Sequence, residues 1–383
     1  MQTDALDTAV LIPSYRPDHR LAPYVQTLLY EGFAKIVVVD DGSGPQGRPF
    51  FEAMAPHERL HVIHYEPNRG KGAALKTGME YLRDHCPQCA YVITADSDGQ
   101  HTAQDVLRMS QELHRIARGE DQEAGEQVGL LLGSRDFSQP HVPPKSRAGN
   151  RITSVVFCLL YGRWVGDTQT GLRGFARELL PTMIRVGGER YEYEMNMLID
   201  CAASKTPIRA LPIETVYENN NEGSHFRTVR DSARIYGVIF AGFFRFISSS
   251  ALSFLVDYGL YLLLNNLLKG ASPALERWMR LGVVNMLPRI LLATALARVL
   301  SGTFNFLLNK RFVFGYSGSI RKSLPRYLGV FALILFLSAA LTSSLHLWFG
   351  WSENAVKVPV DILLFFLSYQ LQRKWVFIKE RAR

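Results

Sequence analysis

Long apolar stretches in the second half of the 383-residue chain constrain its fold more than any other feature of the sequence. Each stretch is close to the ~20 residues that an α-helix needs to cross the hydrocarbon core of a bilayer. The four predicted transmembrane helices cover residues 246–264, 290–308, 327–345 and 355–371. The residues before them mix charges with short apolar runs, so the sequence predicts a soluble part followed by an all-α membrane domain.

Basic residues set the predicted orientation of these helices, because cytoplasmic loops of membrane proteins are enriched in lysine and arginine. Such residues lie between the second and third predicted helices and after the fourth: Lys310, Arg311, Arg321, Lys322, Arg326, Arg373, Lys374, Lys379, Arg381 and Arg383. This placement assigns the net charge of +8 to the membrane surface rather than to nucleic acid. The N-terminus has no basic segment ahead of a long apolar run and predicts no secretory signal. We expect a multi-pass protein of the cytoplasmic membrane whose termini and soluble part are cytoplasmic.

The soluble part alternates short, apolar and β-branched runs with segments of helical length. The runs cover residues 8–12, 35–39, 60–65, 90–94 and 128–132. Such alternation is typical of an α/β, Rossmann-like fold with a mostly parallel sheet. Polar motifs follow three of the runs directly, at Pro13 to Tyr15, Asp40 to Ser43 and Asp96 to Gln100. Because the carboxyl ends of parallel strands meet at one edge of a sheet, we expect one crevice to collect these motifs.

Asp96 and Asp98 form the strongest chemical cue, because two carboxylates two residues apart in a turn can hold a divalent cation. Hard oxygen ligands suit Mg²⁺ or Mn²⁺, which would bridge a diphosphate and stabilise it as a leaving group. Aspartate is also common in turns for structural reasons alone. The pair therefore predicts a metal site only together with its surroundings.

Two neighbouring motifs fit a nucleotide. Asp40 and Asp41 offer acceptors to the ribose or the base, although the same residues also suit a helix N-cap or a turn. Residues Asn68 to Leu75 form a glycine-containing turn into a helix, whose free N–H groups and Lys71 can face phosphate. The turn is not a Walker A loop, because no glycine stands at the required position before Gly70.

The membrane part contains an internal repeat. Leu308 to Phe314 (LNKRFVF) matches Leu371 to Phe377 (LQRKWVF) position by position in residue class. Each half also opens on a basic residue followed by an aromatic one, at Arg245 and at Arg326. Helix ends at a membrane interface collect such residues without any repeat. The order of the match favours two helical hairpins related by an axis along the membrane normal.

Eight motifs follow one another in the soluble part: IPSYRPD, VVVDDGSG, NRGKGAALKTG, TADSDGQH, LGSRDF, DTQTGLRGF, YEYEMNMLID and NEGSHFR. In these motifs, from about Thr8 to Arg234, the sequence resembles family 2 glycosyltransferases with the GT-A fold. The resemblance is to the branch that makes polyprenyl phosphate sugars, such as dolichol phosphate mannose synthase and bactoprenol glucosyltransferases. The membrane part is similar to the GtrA-like module. The resemblance implies Mg²⁺ or Mn²⁺ held by Asp96, Asp98 and Gln100.

The predicted nucleotide-sugar contacts combine these motifs. They are Pro13, Tyr15, Asp40, Asp41, Lys71 and Asp96. The predicted catalytic residues are Asp98, Arg135, Asp167 and Gln169. Asp167 and Gln169 are expected to position sugar hydroxyls, and Glu194 is a further acidic candidate.

Basic residues are the candidates for the acceptor. A polyprenyl phosphate is ionised near neutral pH, so its oxygen needs no strong general base to attack the sugar. Guanidinium groups match phosphate oxygens. The resemblance puts Arg135 and the segment from Arg147 to Arg151 beside the acceptor phosphate, and His225 and Arg227 of the NEGSHFR motif are further candidates.

Arg230 and Arg234 continue the basic helical face that leads to the first span. They are interpreted as contacts to anionic lipid headgroups. The chain thus divides into a GT-A catalytic domain (1–225), a basic juxtamembrane segment (226–242) and a GtrA-like membrane domain (243–383).

The predicted reaction is an inverting transfer of a hexose from GDP-mannose or UDP-glucose to a dolichyl or undecaprenyl phosphate. A single in-line displacement inverts the anomeric carbon. The alternatives are a processive polysaccharide synthase and a non-catalytic carrier or flippase of lipid-linked sugars. The predicted partners are the nucleotide sugar, the lipid phosphate and the membrane, with a homo-oligomer left open.

Overall fold

The computed structural model describes residues 5–120, 129–139, 142–214, 228–281 and 284–378. The chain divides into two compact units, Met1–Ile239 and Phe240–Arg383. The boundary between them falls inside one long helix.

A seven-stranded sheet forms the core of the first unit within the described residues. Its strands are β1 (Thr8–Ser14), β2 (Lys35–Asp41), β3 (Leu60–Tyr65), β4 (Tyr91–Thr94), β5 (Leu130–Arg135), β6 (Arg173–Ala176) and β7 (Ile208–Ile213). They lie in the order β3-β2-β1-β4-β6-β5-β7. In this part of the chain β6 runs antiparallel to its neighbours β4 and β5, and the other strand pairs are parallel. The sheet confirms the predicted mostly parallel α/β fold, and it contains two strands, β6 and β7, that the apolar runs do not predict.

Helices pack on both faces of this sheet. They are α1 (Leu21–Tyr30), α2 (Gly44–Glu52), α3 (Lys71–His85), α4 (Ala103–Ala117), α5 (Pro144–Tyr161), α6 (Leu180–Arg185) and α7 (Glu192–Ala203). Val10 and Ile12 of β1 share a buried core with residues of α1 and α4. Leu11 points to the opposite face, where Gly78 of α3 lies against it so closely that a β-carbon at position 78 would clash. Burial on both faces explains why these strands are continuous apolar runs.

Local signals set the ends of two helices beside the sheet. Thr102 caps α4, since its Oγ1 accepts the N–H of Asp105 at 3.1 Å. Helix α5 begins at Pro144, where a proline loses no helical hydrogen bond, and it ends at Gly162 in a left-handed conformation.

Four helices belong mainly to the membrane part. They are α8 (Thr228–Leu268), α9 (Pro288–Leu308), α10 (Ile320–Phe349) and α11 (Glu353–Leu371), and a short hairpin of β8 (Met279–Leu281) and β9 (Val284–Met286) precedes α9. By length and composition, three segments of the described residues can cross a membrane: Arg230–Leu268, Pro288–Val313 and Ile320–Leu345. The fourth predicted span coincides with α11, which is not among these segments, so four spans stay a prediction.

The internal repeat has a structural counterpart in the second unit. Both matched segments end their helix in a π-helical turn, at Asn309–Val313 after α9 and at Gln372–Val376 after α11. Asn309 and Gln372 occupy the same position of the repeat, and Asn309 Nδ2 donates to Gln372 Oε1 at 3.0 Å. Phe314 and Phe377 also occupy equivalent positions, and their rings stack at 5.2 Å between centroids. Residues that lie on a two-fold axis contact their own equivalents, as these two pairs do.

Aromatic contacts away from this axis occur in matching pairs. The Phe306 and Tyr327 rings are 5.3 Å apart, and so are the rings of their equivalents Tyr369 and Phe246. Phe306 lies 5.7 Å from Phe377, and Tyr369 lies 5.7 Å from Phe314. The second unit is therefore built from two hairpins, α8–α9 and α10–α11, that make equivalent contacts.

Charged residues inside the spans are paired within each hairpin. Asp257 Oδ2 of α8 lies 3.6 Å from Arg298 Nη1 of α9. In the second hairpin, Lys357 Nζ lies 2.8 Å from Asp361 Oδ1 on the same helix, and Ser338 of α10 donates to that oxygen at 2.7 Å. The ion pair is therefore interhelical in the first hairpin, whereas in the second it lies within α11.

Candidate functional site

A cavity of about 690 Å³ lies at the carboxyl ends of β1, β2 and β4 in the first unit. Its volume is in the range of pockets that enclose a small organic ligand. Many of the predicted site residues line it: Pro13, Tyr15, Asp41, Lys71, Asp96, Asp98, Gln100, Arg135 and Gln169. The cavity therefore brings together motifs that are far apart in the sequence.

Asp96 is held by a cation and by a close backbone approach. Lys71 Nζ lies 2.7 Å from Asp96 Oδ1. Gly171 lies against Asp96 Oδ2, and a β-carbon at position 171 would clash with the carboxylate. Burial alone would raise the pKa of Asp96, but the adjacent Lys71 ammonium is the main group that lowers this pKa to about 2. Asp96 is therefore ionised at neutral pH.

Asp98 faces the same cavity with less charge compensation. The backbone N–H of Gln100 donates to Asp98 Oδ1 at 3.1 Å. Burial raises the pKa of Asp98, and the negative charge of Asp96 raises it further. A cation that binds beside Asp98 would therefore stabilise its ionised form. Burial also lowers the pKa of His101, whose Nδ1 accepts the backbone N–H of Asp96 at 3.0 Å.

Lys71 bridges two carboxylates at the start of α3. Its Nζ lies 2.9 Å from Glu194 Oε1 of α7, in addition to its contact with Asp96. Burial alone would lower the pKa of Lys71, but Asp96 and Glu194 raise it well above its usual range. Gly70, which precedes it, has a φ of +111°, a conformation that side-chain-bearing residues rarely adopt. The lysine is therefore charged and held at the wall of the cavity.

Arg135 and Asp167 form a bidentate ion pair. Arg135 Nε donates to Asp167 Oδ2 at 2.7 Å, and Arg135 Nη2 donates to Oδ1 at 3.1 Å. The backbone N–H of Gln169 donates to the same carboxylate at 3.1 Å. Asp167 is buried, whereas Arg135 lines the cavity. The carboxylate thus orients the guanidinium beside the cavity.

The acidic pair at the end of β2 is satisfied by the protein itself. Neighbouring residues donate hydrogen bonds of 2.8 to 2.9 Å to the Asp41 carboxylate: Tyr65, Asn68, Arg69 and Gly70. Asp40 accepts the N–H of Ser43 at 2.9 Å and lies 3.0 Å from His64 Nδ1. Asp41 borders the cavity, but its oxygens hold the turn that precedes α3.

Two families match the chain in separate segments. Residues 9–118 match glycosyl transferase family 2, and residues 245–377 match the GtrA/DPMS transmembrane domain. The chain carries a family 2 glycosyltransferase domain followed by a GtrA/DPMS transmembrane domain. The protein is therefore a multi-pass membrane protein with a GT-A-like N-terminal domain.

Similar proteins align with the glycosyltransferase half. Glycosyltransferase AglJ of Haloferax volcanii is 28% identical over 236 residues, which cover 62% of this chain and 70% of that protein. The UDP-N-acetylglucosamine--dolichyl-phosphate N-acetylglucosaminyltransferase of Methanococcus voltae is 26% identical over 222 residues, covering 54% of this chain and 85% of that protein. The polyprenol monophosphomannose synthase of Mycolicibacterium smegmatis is 28% identical over 182 residues, covering 45% of this chain and 63% of that protein.

Some predicted acceptor residues of the glycosyltransferase domain do not line the cavity. Arg147 Nη2 donates to the backbone carbonyl of Gln139 at 2.9 Å, and Arg151 is exposed on α5. Their contact with an acceptor stays a prediction. His225 and Arg227 lie outside the described residues.

Residues near the start of α8 line the cavity, although the sequence does not predict them there. Arg230 and Arg234, interpreted from the sequence as headgroup contacts, line the cavity together with Asp231. Asp231 is buried, and Arg234 Nη1 lies 3.8 Å from its Oδ1. An aspartate among arginines on a basic and apolar helix is the sequence signal that points to it.

Helix α5 fixes this start of α8 within the first unit. Thr153 Oγ1 and Tyr236 Oη are 3.0 Å apart, and Tyr161 Oη donates to the carbonyl of Ile239 at 2.7 Å. These hydrogen bonds hold the helix that carries Arg230 and Arg234 at the cavity wall.

The glycosyltransferase domain offers donors that fit a divalent cation. Asp96, Asp98 and the Gln100 amide supply hard oxygen atoms at one wall of the cavity. Burial raises the pKa of Asp98 and the negative charge of Asp96 raises it further, and a cation beside Asp98 would offset both effects. In the described ranges no group of three His, Cys, Asp or Glu side chains forms a complete metal site. Water and diphosphate oxygens would have to complete the coordination, as is usual for Mg²⁺.

Proposed function

We propose that this protein is an inverting hexosyltransferase that moves a hexose from a nucleotide diphosphate sugar to a polyprenyl phosphate at the cytoplasmic face of a membrane. The observation that carries the proposal is the shared cavity, in which Asp96, Asp98 and Lys71 border the same space as Arg135. Relatives named for dolichyl phosphate and polyprenol substrates support a lipid acceptor. The GtrA/DPMS transmembrane domain supports a reaction at the membrane.

The donor side of the site is acidic. Asp96, Asp98 and Gln100 would hold a divalent cation, which supplies Lewis-acid stabilisation of the diphosphate leaving group when it is bound. Lys71, charged and held beside Asp96, adds a second positive group near the phosphates. The turn that Asp41 holds borders the same cavity and would contact the nucleoside.

The acceptor side of the site is basic. Arg135 is oriented by Asp167 and would bind the phosphate oxygens of the lipid. Arg230 and Arg234 reach the cavity from α8 and extend this positive wall. A phosphate oxygen that is already ionised attacks the anomeric carbon without a proton acceptor, so the role of these residues is to hold it in place.

Attack on the side opposite the leaving nucleotide inverts the anomeric carbon. Gln169 lines the same cavity, and its side chain would contact the sugar hydroxyls. The same proposal includes the domain limits 1–225, 226–242 and 243–383. It also places both termini in the cytoplasm.

The test is transfer of radiolabel from UDP-glucose or GDP-mannose into organic-extractable lipid by the full chain in detergent, with polyprenyl phosphate and Mn²⁺. We expect labelled lipid from one of the two donors and its loss in Asp98→Asn. Asp84→Asn is the matched control, because Asp84 is an exposed aspartate paired with Arg83. The anomeric proton coupling of the product would report inversion.

Two results would overturn the proposal. Label in a polymer instead of lipid would indicate a polysaccharide synthase. Absence of transfer with a wide panel of donors would indicate a carrier of lipid-linked sugars.

A further inference from the structure

The Lys71 ammonium lies between two carboxylates that belong to different parts of the glycosyltransferase domain. It is 2.7 Å from Asp96 Oδ1 on the loop after β4 and 2.9 Å from Glu194 Oε1 on α7. The Lys71 side chain is 17% exposed and that of Glu194 is 9% exposed, so water screens these charges weakly. The ammonium therefore occupies a weakly screened cation position next to Asp96.

The Asp96 carboxylate already has one cationic partner. Its Oδ1 is used by Lys71, and its Oδ2 lies against the backbone of Gly171. A divalent cation binds carboxylate oxygen at about 2.0–2.6 Å. A metal ion and an ammonium on one carboxylate would lie only a few ångströms apart and repel each other.

Glu194 offers Lys71 another partner without any rearrangement of the backbone. The contact to Glu194 already exists, so Lys71 can leave Asp96 and keep an ion pair. With Asp96, Asp98 and Glu194 ionised and Lys71 charged, these four groups carry a net charge of −2, which a divalent cation neutralises.

We infer that Lys71 and a divalent cation compete for Asp96, and that Glu194 favours the metal by drawing Lys71 away. This inference rests on the metal site of the proposed function and makes Glu194 a positioning residue of that site. Metal entry frees Lys71 from Asp96 at the place where the diphosphate binds.

The experiment measures Mn²⁺ affinity of the full chain in detergent without sugar nucleotide, from the electron paramagnetic resonance signal of free Mn²⁺. We expect Glu194→Gln to weaken Mn²⁺ binding about 10-fold, because Lys71 then binds Asp96 more tightly. We expect Lys71→Met to tighten Mn²⁺ binding about 10-fold, because it removes the competing cation. Lys76→Met is the control on the same helix, because Lys76 lies over the Tyr193 ring instead of at Asp96.

The double variant separates action through Lys71 from direct action on the metal. If Glu194 works by holding Lys71, Glu194→Gln has no effect on Mn²⁺ affinity in the Lys71→Met background. A persisting loss of affinity there, or weaker binding in Lys71→Met alone, would overturn the inference. Lys71→Gln replaces Lys71→Met if thermal unfolding shows that the latter is not folded.

The transfer assay keeps this inference separate from the proposed function. A wild-type chain that transfers sugar to lipid but binds no Mn²⁺ would refute the competition and leave the activity standing. A chain that shows the expected cycle of Mn²⁺ affinities but transfers no sugar would support the competition and refute the activity.

Discussion

Two acidic pairs lie on either side of β1, and they differ in what surrounds them. Asp40 and Asp41 end β2, and Asp41 accepts hydrogen bonds from four neighbouring residues. Asp96 and Asp98 follow β4, where Asp96 is paired with Lys71 and Asp98 has a raised pKa. The first pair is satisfied by hydrogen bonds within the protein. In the second pair, Asp98 is a partly buried carboxylate beside another carboxylate.

This difference shows that acidic motifs at strand ends serve two purposes. A carboxylate that receives several N–H and O–H groups stabilises a turn, because removing it would leave those donors unpaired. A carboxylate that is half buried beside another one costs stability, and such groups are common at binding sites. The hydrogen bonds that a carboxylate accepts distinguish these two roles, whereas the residue type, aspartate in both, does not.

The largest effect is expected for Asp98→Asn. Transfer to lipid should fall on the order of 100-fold or more, because the charge that balances a cation and a leaving diphosphate is lost. The melting temperature should not fall, since a neutral amide removes a buried charge. Initial rates and thermal unfolding of the same preparation check both statements. A transfer rate of Asp98→Asn within about threefold of wild type would contradict a role of the Asp98 charge in the reaction.

Asp41→Asn should act mainly on stability. The amide would present N–H groups to donors that now find a carboxylate, so the free energy of unfolding should fall by about 2 kcal/mol or more. Denaturant unfolding of the full chain measures it, with Asp84→Asn as the control. Unchanged stability with lost activity would mean that Asp41 contacts the ligand directly.

Tyr65→Phe tests the same carboxylate with a smaller change. It removes one donor, whose Oη lies 2.8 Å from Asp41 Oδ1, and should cost about 1 kcal/mol. Transfer at low temperature should stay close to wild type. A loss of activity larger than the loss of stability would place Tyr65 in the binding site.

The smallest expected effect is on the pH dependence of stability. Because the folded-state pKa of Asp98 is raised, its favourable contribution is present below the unfolded-state pKa and is lost as pH rises through the folded-state value. Asp98→Asn lacks this dependence. The stability gained by the variant should therefore be larger at pH 7 than in mild acid, and a gain that does not change with pH would contradict the raised pKa.

Much of the fold is predictable, because buried parallel strands are continuous apolar runs. The strands β1 to β4 begin within one residue of the predicted positions. The strand β6 has four residues and β7 contains Arg209 and Pro212, so neither has a distinct apolar pattern. The described part of α8 begins at Thr228, well before the apolar span predicted from residue 246, because a helical segment with both basic and apolar residues precedes that span.

The site is predictable in its parts but not in its pairings. Strand-end positions identify Asp41 and Asp96 as neighbours of one crevice. The contact of Lys71 with Glu194 and the ion pair of Arg135 with Asp167 depend on how distant elements pack. A sequence motif specifies residue types, whereas the charge balance of a cavity depends on which of them meet.

The two-fold relation of the hairpins limits which residues can occupy its axis. A polar side chain there faces its own equivalent, so it needs both a donor and an acceptor group, as the amides of Asn309 and Gln372 have, whereas the rings of Phe314 and Phe377 stack. Positions away from the axis carry no such constraint once both hairpins belong to one chain. Asp257 and Ser338 each lie 12 residues after the arginine that opens their hairpin (245 to 257, 326 to 338), and they have diverged. Fusion thus allows a symmetric scaffold to hold chemically different halves.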